Sequence, residues 1–206
     1  MSEPFPIAVL VSGEGSNLQA LLDDERIHVA AVAASRAEAR GLERARAAGV
    51  DAAAFVIADH EDRDARDRAL GDWIDEKGAR LVVLAGFMEI LGRDFIRRFG
   101  GRIVNVHPSL LPAFPGVRAI ERALEHGAQV IGVTVHFVDE GVDSGPIILQ
   151  EALPLTYSRN VEEIEARVHE VEHRLLPRAV RLIADGRVSV DPHNPRLVRV
   201  EDGRHD

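Results

Sequence analysis

Asn105 and His107 stand two positions apart in Ile103-Val104-Asn105-Val106-His107, and Pro108 follows at once. On an extended strand, residues two apart face the same side, and a proline ends the ladder there. An amide and an imidazole are therefore set together at the carboxyl end of an apolar strand. That is where an open α/β sheet keeps its reacting groups. Imidazole is the side chain that moves a proton near neutral pH. A lone histidine at a strand end often serves only as a surface or capping group. Asn105 beside His107 shifts the balance toward catalysis.

Two further segments could support chemistry. Ser12-Gly13-Glu14-Gly15-Ser16-Asn17 follows the first apolar run and opens a helical stretch. Glycines there let the backbone approach a ligand closely, and free N–H groups at a helix start suit a phosphate. A tight strand–helix turn capped by Ser or Asn accounts for the same residues. A dinucleotide fingerprint is a poorer fit: its third glycine would fall on Leu18, and the second strand ends at Ser35-Arg36 without an acidic residue for a ribose. Arg36 leaves NADP as the rival cofactor. The third segment, Asp139-Glu140-Gly141-Val142-Asp143-Ser144-Gly145-Pro146, reads on its own as a solvated turn. His136, just before it, is either a second candidate or a satisfied buried histidine, pointing opposite to Val135 and Phe137 on a regular strand.

The elements that must position these groups alternate. Apolar runs occur at Ile7–Val11, Val29–Ala34, Ala53–Val56, Leu81–Ala85 and Ile103–Val106, with helical stretches at Asn17–Asp23, Ala37–Ala48, Asp62–Glu76 and Glu89–Arg98 between them. Apolar runs without alternation indicate strands covered on both faces, hence a parallel, doubly wound sheet. After Asn105 the rhythm changes. A helix is expected over Val117–Glu125, ended by Gly127. Strands at Val130–Val138 and Ile147–Leu153 are joined too tightly for a crossover and must pair antiparallel. A long helix starts near Val161, with Asn160 as cap and Glu163 as capping-box partner. Its apolar stripe is Val161, Ile164, Val168, Val171 and Leu175, and Pro177 is expected to kink or break it. Arg187–Val190 and Leu197–Val200 read as a terminal hairpin. The fold class is α/β, doubly wound and mostly parallel, with an antiparallel C-terminal part.

The 206 residues are 46% hydrophobic, enough for one large domain with a core. Lys and Arg number 25 against 34 Asp and Glu, a net charge of −9, so a nucleic-acid partner is not expected. The chain has no cysteine, which excludes disulfides, thiolate metal sites and a cysteine nucleophile. Met1–Pro6 carries no basic stretch, so no secretory signal is expected. The apolar runs are too short to span a bilayer. A cytoplasmic protein that is a monomer or homodimer, with no nucleic-acid or membrane partner, is the expectation.

Five segments then occur in order: Ser-Gly-Glu-Gly-Ser-Asn-Leu at 12–18, Leu-Ala-Gly-Phe-Met at 84–88, Asn-Val-His-Pro-Ser-Leu-Leu-Pro at 105–112, Phe-Pro-Gly at 114–116 and Asp-Ser-Gly-Pro at 143–146. Together, over about residues 7–190, they resemble the glycinamide ribonucleotide formyltransferases of purine biosynthesis, a folate-dependent family. The resemblance implies a catalytic trio of Asn105, His107 and Asp143. It implies an acceptor-phosphate loop at Gly15, Ser16 and Asn17, and an acceptor-binding turn at His169, Glu170, Val171 and Glu172. It assigns the folate to Arg63, to Met88, Glu89, Ile90 and Leu91, to Asn105, and to Asp139, Glu140, Gly141, Val142 and Asp143. It implies three parts: an acceptor-phosphate half over 7–100, a catalytic and folate half over 101–190, and a hairpin or tail over 191–206.

The implied reaction is attack of the acceptor amine on the formyl carbon of 10-formyltetrahydrofolate. Protonated His107 and the Asn105 amide would stabilise the oxyanion, and Asp143 would raise the His107 pKa and help carry protons to N10. The folate is a co-substrate, with no tightly bound cofactor and no metal. Two residues depart from the family pattern: Glu14 inside the phosphate loop, which must point away from the phosphate or weaken it, and Ala113 where a larger polar residue is common. Among relatives, the deformylase that uses water carries an N-terminal regulatory domain, for which a first strand at Ile7 leaves no room. The initiator-tRNA formyltransferase carries a basic C-terminal domain, which an acidic chain of this length does not offer.

Overall fold

A computed structural model of the chain describes residues 4–155 and 160–201. Residues 1–3, 156–159 and 202–206 lie outside the described residues; they include the start of the segment read for a signal and the end of the expected tail. The chain divides into two compact units after Asn105.

The first unit holds β1 (Pro6–Val11), α1 (Ser16–Leu22), β2 (His28–Ala34), α2 (Arg40–Ala47), β3 (Asp51–Ala54), α3 (Arg63–Glu76), β4 (Leu81–Leu84), α4 (Arg93–Arg98) and most of β5 (Ile103–His107). Neighbouring strands here pair parallel: β1 with β2 and β4, β2 with β3, β4 with β5. Ile7 through Val11 have no exposed surface, as a strand covered on both faces requires. Asp62 caps α3 by accepting the Ala65 N–H at 2.7 Å. The expected helix from Glu89 begins only at Arg93. The Gly92 N–H is spent on the Asp67 carboxylate at 2.6 Å, and Gly92 itself is extended, so residues 88–91 form a loop.

The second unit holds α5 (Ala119–Glu125), β6 (Val130–Phe137), β7 (Ile147–Pro154), α6 (Val161–Ala184), β8 (Val188–Val190) and β9 (Val198–Val200). β6 and β7 pair antiparallel, with a register shift between Val135 and His136. β8 and β9 form the terminal hairpin. Asn160 accepts the Glu163 N–H at 3.1 Å and starts α6. α6 runs unbroken through Pro177. A proline there removes one helical hydrogen bond, but Val168, Val171, Leu175, Leu176, Ala179 and Val180 are all buried around it, and that packing keeps the helix whole. The start of α5 falls at Ala119, two residues later than expected, because Arg118 takes a left-handed conformation.

The strand order of the main sheet is β3-β2-β1-β4-β5-β6-β7, α/β and mostly parallel with one antiparallel pair. Among the described residues no helix is long and apolar enough to cross a membrane.

Candidate active site

β5 alternates buried Val104 and Val106 with Asn105 and His107, so the amide and the imidazole leave one face of the strand. Asn105 is partly buried and His107 is 5% exposed. The backbone after His107 is anchored by β6 and β7. The Thr134 hydroxyl donates to the Ser109 carbonyl (2.7 Å) and accepts the Leu111 N–H (3.1 Å), and Gln150 donates to the Leu111 carbonyl (2.9 Å).

Asp143 comes from the loop between β6 and β7. That loop is shaped by its own small residues. Asp139 accepts from the Gly141 N–H at 3.0 Å and the Ser144 hydroxyl at 2.6 Å. A Cβ on Gly145 would lie 1.8 Å from the Phe137 carbonyl oxygen, so only glycine fits there. Asp143 itself is left-handed, at φ 48°, a conformation that Asp tolerates better than most residues. The result is a carboxylate set against two imidazoles. Asp143 Oδ2 lies 3.3 Å from His107 Nδ1, and Oδ1 lies 3.6 Å from His136 Nε2. The Gly116 N–H donates to Oδ2 at 2.7 Å.

His136 is the member that sequence reasoning left open. It is 1% exposed, and its Nδ1–H donates to the Phe137 carbonyl at 2.8 Å. The register shift beside it re-aims the strand, as bulges do next to functional sites. The sequence signal was a histidine shortly before an Asp-rich turn; the bulge could not be read from it.

Electrostatics corrects one expectation. Burial pushes the His107 pKa down. The Asp143 carboxylate and the Phe114 carbonyl push it back up, His136 and Arg122 add to the fall, and the net value is below the ordinary 6.5. Asp143 therefore acts in the expected direction, but burial outweighs it, and His107 rests mainly neutral at neutral pH. Its Nε2 lies 3.0 Å from the Phe114 carbonyl. That oxygen can only accept, so this nitrogen carries the proton of the neutral ring. A proton arriving at Nδ1 then meets a waiting carboxylate. Asp143 is held the other way. Burial raises its pKa, but hydrogen bonds from His136 and Gly116 and the charges of both histidines outweigh that and hold it at about 2.

The other expected positions are spread over both units. Gly15 precedes α1 at φ 71°, and a Cβ there would lie 2.8 Å from Gly41 Cα. Ser16 is partly buried and Asn17 is 7% exposed. The Glu14 side chain pairs with Arg40 at 2.9 Å, and its carbonyl accepts from Arg44 at 2.8 Å, which accounts for an acidic residue in this loop. Arg63 is exposed at the start of α3. Met88 and Ile90 are 75% and 67% exposed, Glu89 is partly buried, and Leu91 is buried. On α6, His169 and Glu170 face solvent while Val171 and Glu172 are buried. Asp139 and Val142 flank Asp143 in its loop, with Glu140 and Gly141 exposed between them. A cavity of about 320 Å³ opens against this loop, lined by Leu111, Pro112, Pro115, Val142–Ile147 and Arg196. Ala113 lends its carbonyl to the Ser109 hydroxyl at 2.6 Å.

Residues 6–180 match the family model described as formyl transferase, and the chain belongs to that family. Within it, the chain is 42% identical over 189 residues to the phosphoribosylglycinamide formyltransferase of Escherichia coli (strain K12), covering 89% of each. It is 43% identical over 187 residues to the trifunctional purine biosynthetic protein adenosine-3 of Bos taurus, where 88% of this chain matches 18% of that much longer protein. Among solved structures, glycinamide ribonucleotide transformylase 1 from Symbiobacterium toebii superposes with a TM-score of 0.92 at 48% identity, over 96% of this chain and 94% of that one.

Proposed function

We propose that the protein transfers the formyl group of 10-formyltetrahydrofolate to the amine of glycinamide ribonucleotide. The observation that carries the reading is the Asp143 carboxylate held against both His107 and His136, in a chain of the formyl transferase family. The acceptor amine attacks the formyl carbon, and the new C–N bond forms as the carbonyl becomes an oxyanion. The Asn105 amide N–H stabilises that oxyanion. Neutral His107 takes the proton that the amine loses, which its depressed pKa permits, and the Asp143 carboxylate favours the imidazolium so formed. The imidazolium returns the proton toward N10 as the C–N10 bond breaks. No proton is gained or lost over the cycle.

Gly15, Ser16 and Asn17 bind the acceptor phosphate in this reading, and the His169–Glu172 turn binds its ribose and amine. Arg63, Met88–Leu91, Asn105 and Asp139–Asp143 hold the folate. The parts are an acceptor-phosphate half over 7–100, a catalytic and folate half over 101–190 and a C-terminal hairpin or tail over 191–206. The folate is a co-substrate, no cofactor is tightly bound, and the protein works in the cytoplasm as a monomer or homodimer.

The test measures loss of the formyl group from formyltetrahydrofolate with and without glycinamide ribonucleotide. Fast turnover only with the ribonucleotide supports the reading. Equal rates in both make water the acceptor and the protein a deformylase.

A further inference from the structure

We infer that Ser12 is a positioning residue that ties the phosphate loop to the folate-holding loop, so that filling one loop strengthens binding at the other. The inference rests on the substrate assignments proposed above. Both loops and every contact used belong to residues 4–105.

Ser12 directly follows β1 and immediately precedes Gly13–Asn17. It is only 5% exposed. Its N–H donates to the Gly86 carbonyl at 3.1 Å, and its hydroxyl oxygen accepts the Met88 N–H at 2.8 Å. Gly86 is left-handed, at φ 77°. That turn brings the 86 carbonyl and the 88 amide to the same residue. The Ser12 hydroxyl also shares a 2.7 Å hydrogen bond with the Ser35 hydroxyl at the end of β2, and Ser35 is equally buried. A hydroxyl offers one proton and two lone pairs. Here one lone pair takes the Met88 N–H, and the bond to Ser35 fixes the rotor.

The far end of the same loop is fixed independently. The Gly92 N–H donates to Asp67 Oδ2 at 2.6 Å, and Asp67 Oδ1 pairs with Arg66, whose guanidinium is fully buried. Residues 88–91 are thus strung between two anchors, with Met88 and Ile90 presented to solvent. Exposed apolar side chains on a pinned loop suit the face of an aromatic ring. Only the Ser12 anchor is continuous in the chain with the phosphate loop. A shift of residues 13–17 on binding phosphate must pass through Ser12 to Met88, whereas the Asp67 anchor stays put.

The experiment measures by calorimetry the affinity for glycinamide ribonucleotide and for tetrahydrofolate, which has no formyl group to transfer. Each is titrated alone and with the other saturating. In the wild type, each ligand is expected to tighten the other by about five-fold or more, the lower end of ordinary coupling. Ser12→Ala is expected to bring that ratio close to one and weaken tetrahydrofolate alone by about ten-fold, the scale of one lost hydrogen bond. Ribonucleotide alone should change by less than about two-fold. Ser35→Ala keeps the Met88 bond but frees the rotor. It should lower the ratio while leaving tetrahydrofolate alone near wild type, and it decides the matter if Ser12→Ala does not fold. A lower melting temperature with ratios and affinities unchanged makes Ser12 merely structural and overturns the inference, as does a wild type that binds both ligands without coupling. A wild type that binds neither overturns the proposed function, and this inference with it.

Discussion

His107 Nδ1 lies 3.3 Å from Asp143 Oδ2, and that same oxygen also accepts the Gly116 amide at 2.7 Å. The backbone donor fixes the carboxylate whether or not the histidine is protonated. The imidazole therefore gains a proton without the carboxylate having to move, and preorganisation of this kind is what lowers a barrier.

The titration of His107 is expected to fall below 6.5 in the wild type, because burial is the largest influence on it. Asp143→Asn removes the main upward push and should carry it lower still. NMR titration of the ring, with kcat/KM against pH, checks both. The acid limb of activity should move to lower pH in the variant, while the rate on the plateau drops because the imidazolium has lost its partner. A His107 pKa that rises in Asp143→Asn would overturn the electrostatic account.

Acid stability should report the same pair. The folded Asp143 carboxyl sits at about 2 against an ordinary 3.8. A depressed carboxyl stabilises the fold above its unfolded value, and that contribution is lost as pH falls through the folded one. The difference corresponds to about 2 kcal/mol. Urea unfolding of wild type and Asp143→Asn should show a gap that closes as pH falls from about 4 toward 2, and that narrows again as pH rises through the His107 titration, because a neutral ring no longer favours the carboxylate. A gap that does not vary with pH would show that the charge contributes nothing.

Gly145→Ala is expected to impair turnover without touching any reacting group. Its Cβ would lie 1.8 Å from the Phe137 carbonyl oxygen, and backbone on that side cannot give way cheaply. The loop must shift, taking Asp143 with it. A fall in kcat of about ten-fold or more is expected, since small misplacements are costly in catalysis. The His107 resonance should move toward its position in Asp143→Asn. Wild-type kcat would mean that the loop adapts.

Much of this was legible in the residues. Ile7–Val11 and Ile103–Val106 read as buried parallel strands because every position but Asn105 is apolar, and no exposed face interrupts them. The antiparallel β6–β7 pair followed from a link too short for a crossover. Asn105 and His107 could be paired from strand alternation alone. Three features were not legible. Residues 89–92 read as the first turn of a helix, and the Gly92–Asp67 bond that delays its start to Arg93 is a tertiary contact. Pro177 carries a local penalty that only the packing of α6 offsets. His136 joins Asp143 through a register shift that depends on where β7 begins, and the sign of the His107 shift depends on burial, which a sequence does not print.

Asn17→Ala should weaken acceptor binding selectively. Asn17 is 7% exposed at the start of α1, beside left-handed Gly15. Loss of a hydrogen bond to a charged phosphate costs roughly 1–3 kcal/mol, which is about 5- to 150-fold in the acceptor KM. The folate KM should stay within about two-fold of wild type, inside the spread of a change that leaves its contacts intact. If the folate KM alone rises, the loop serves the other substrate.

Glu172 supplies the last test. It lies on α6 beside Val171 and close to Leu175, and it is 5% exposed. A carboxylate buried among apolar neighbours is costly unless it is hydrogen-bonded, so a structural role and a substrate role make different demands on it. Glu172→Gln keeps the shape and removes the charge. If Glu172 meets the acceptor's ribose and amine, the acceptor KM should rise about ten-fold or more, the scale of a charge-assisted bond. The melting temperature should change little, because the amide still fills the site and can still bond its neighbours. If the charge serves only the fold, the opposite pattern is required. The melting temperature should then fall by several degrees, since about 1–2 kcal/mol shifts a domain of this size by that much, and both KM values should match the wild type. Steady-state kinetics with varied glycinamide ribonucleotide, alongside calorimetric melting of the same preparation, separates the two. Unchanged kinetics would remove Glu172 from the acceptor site.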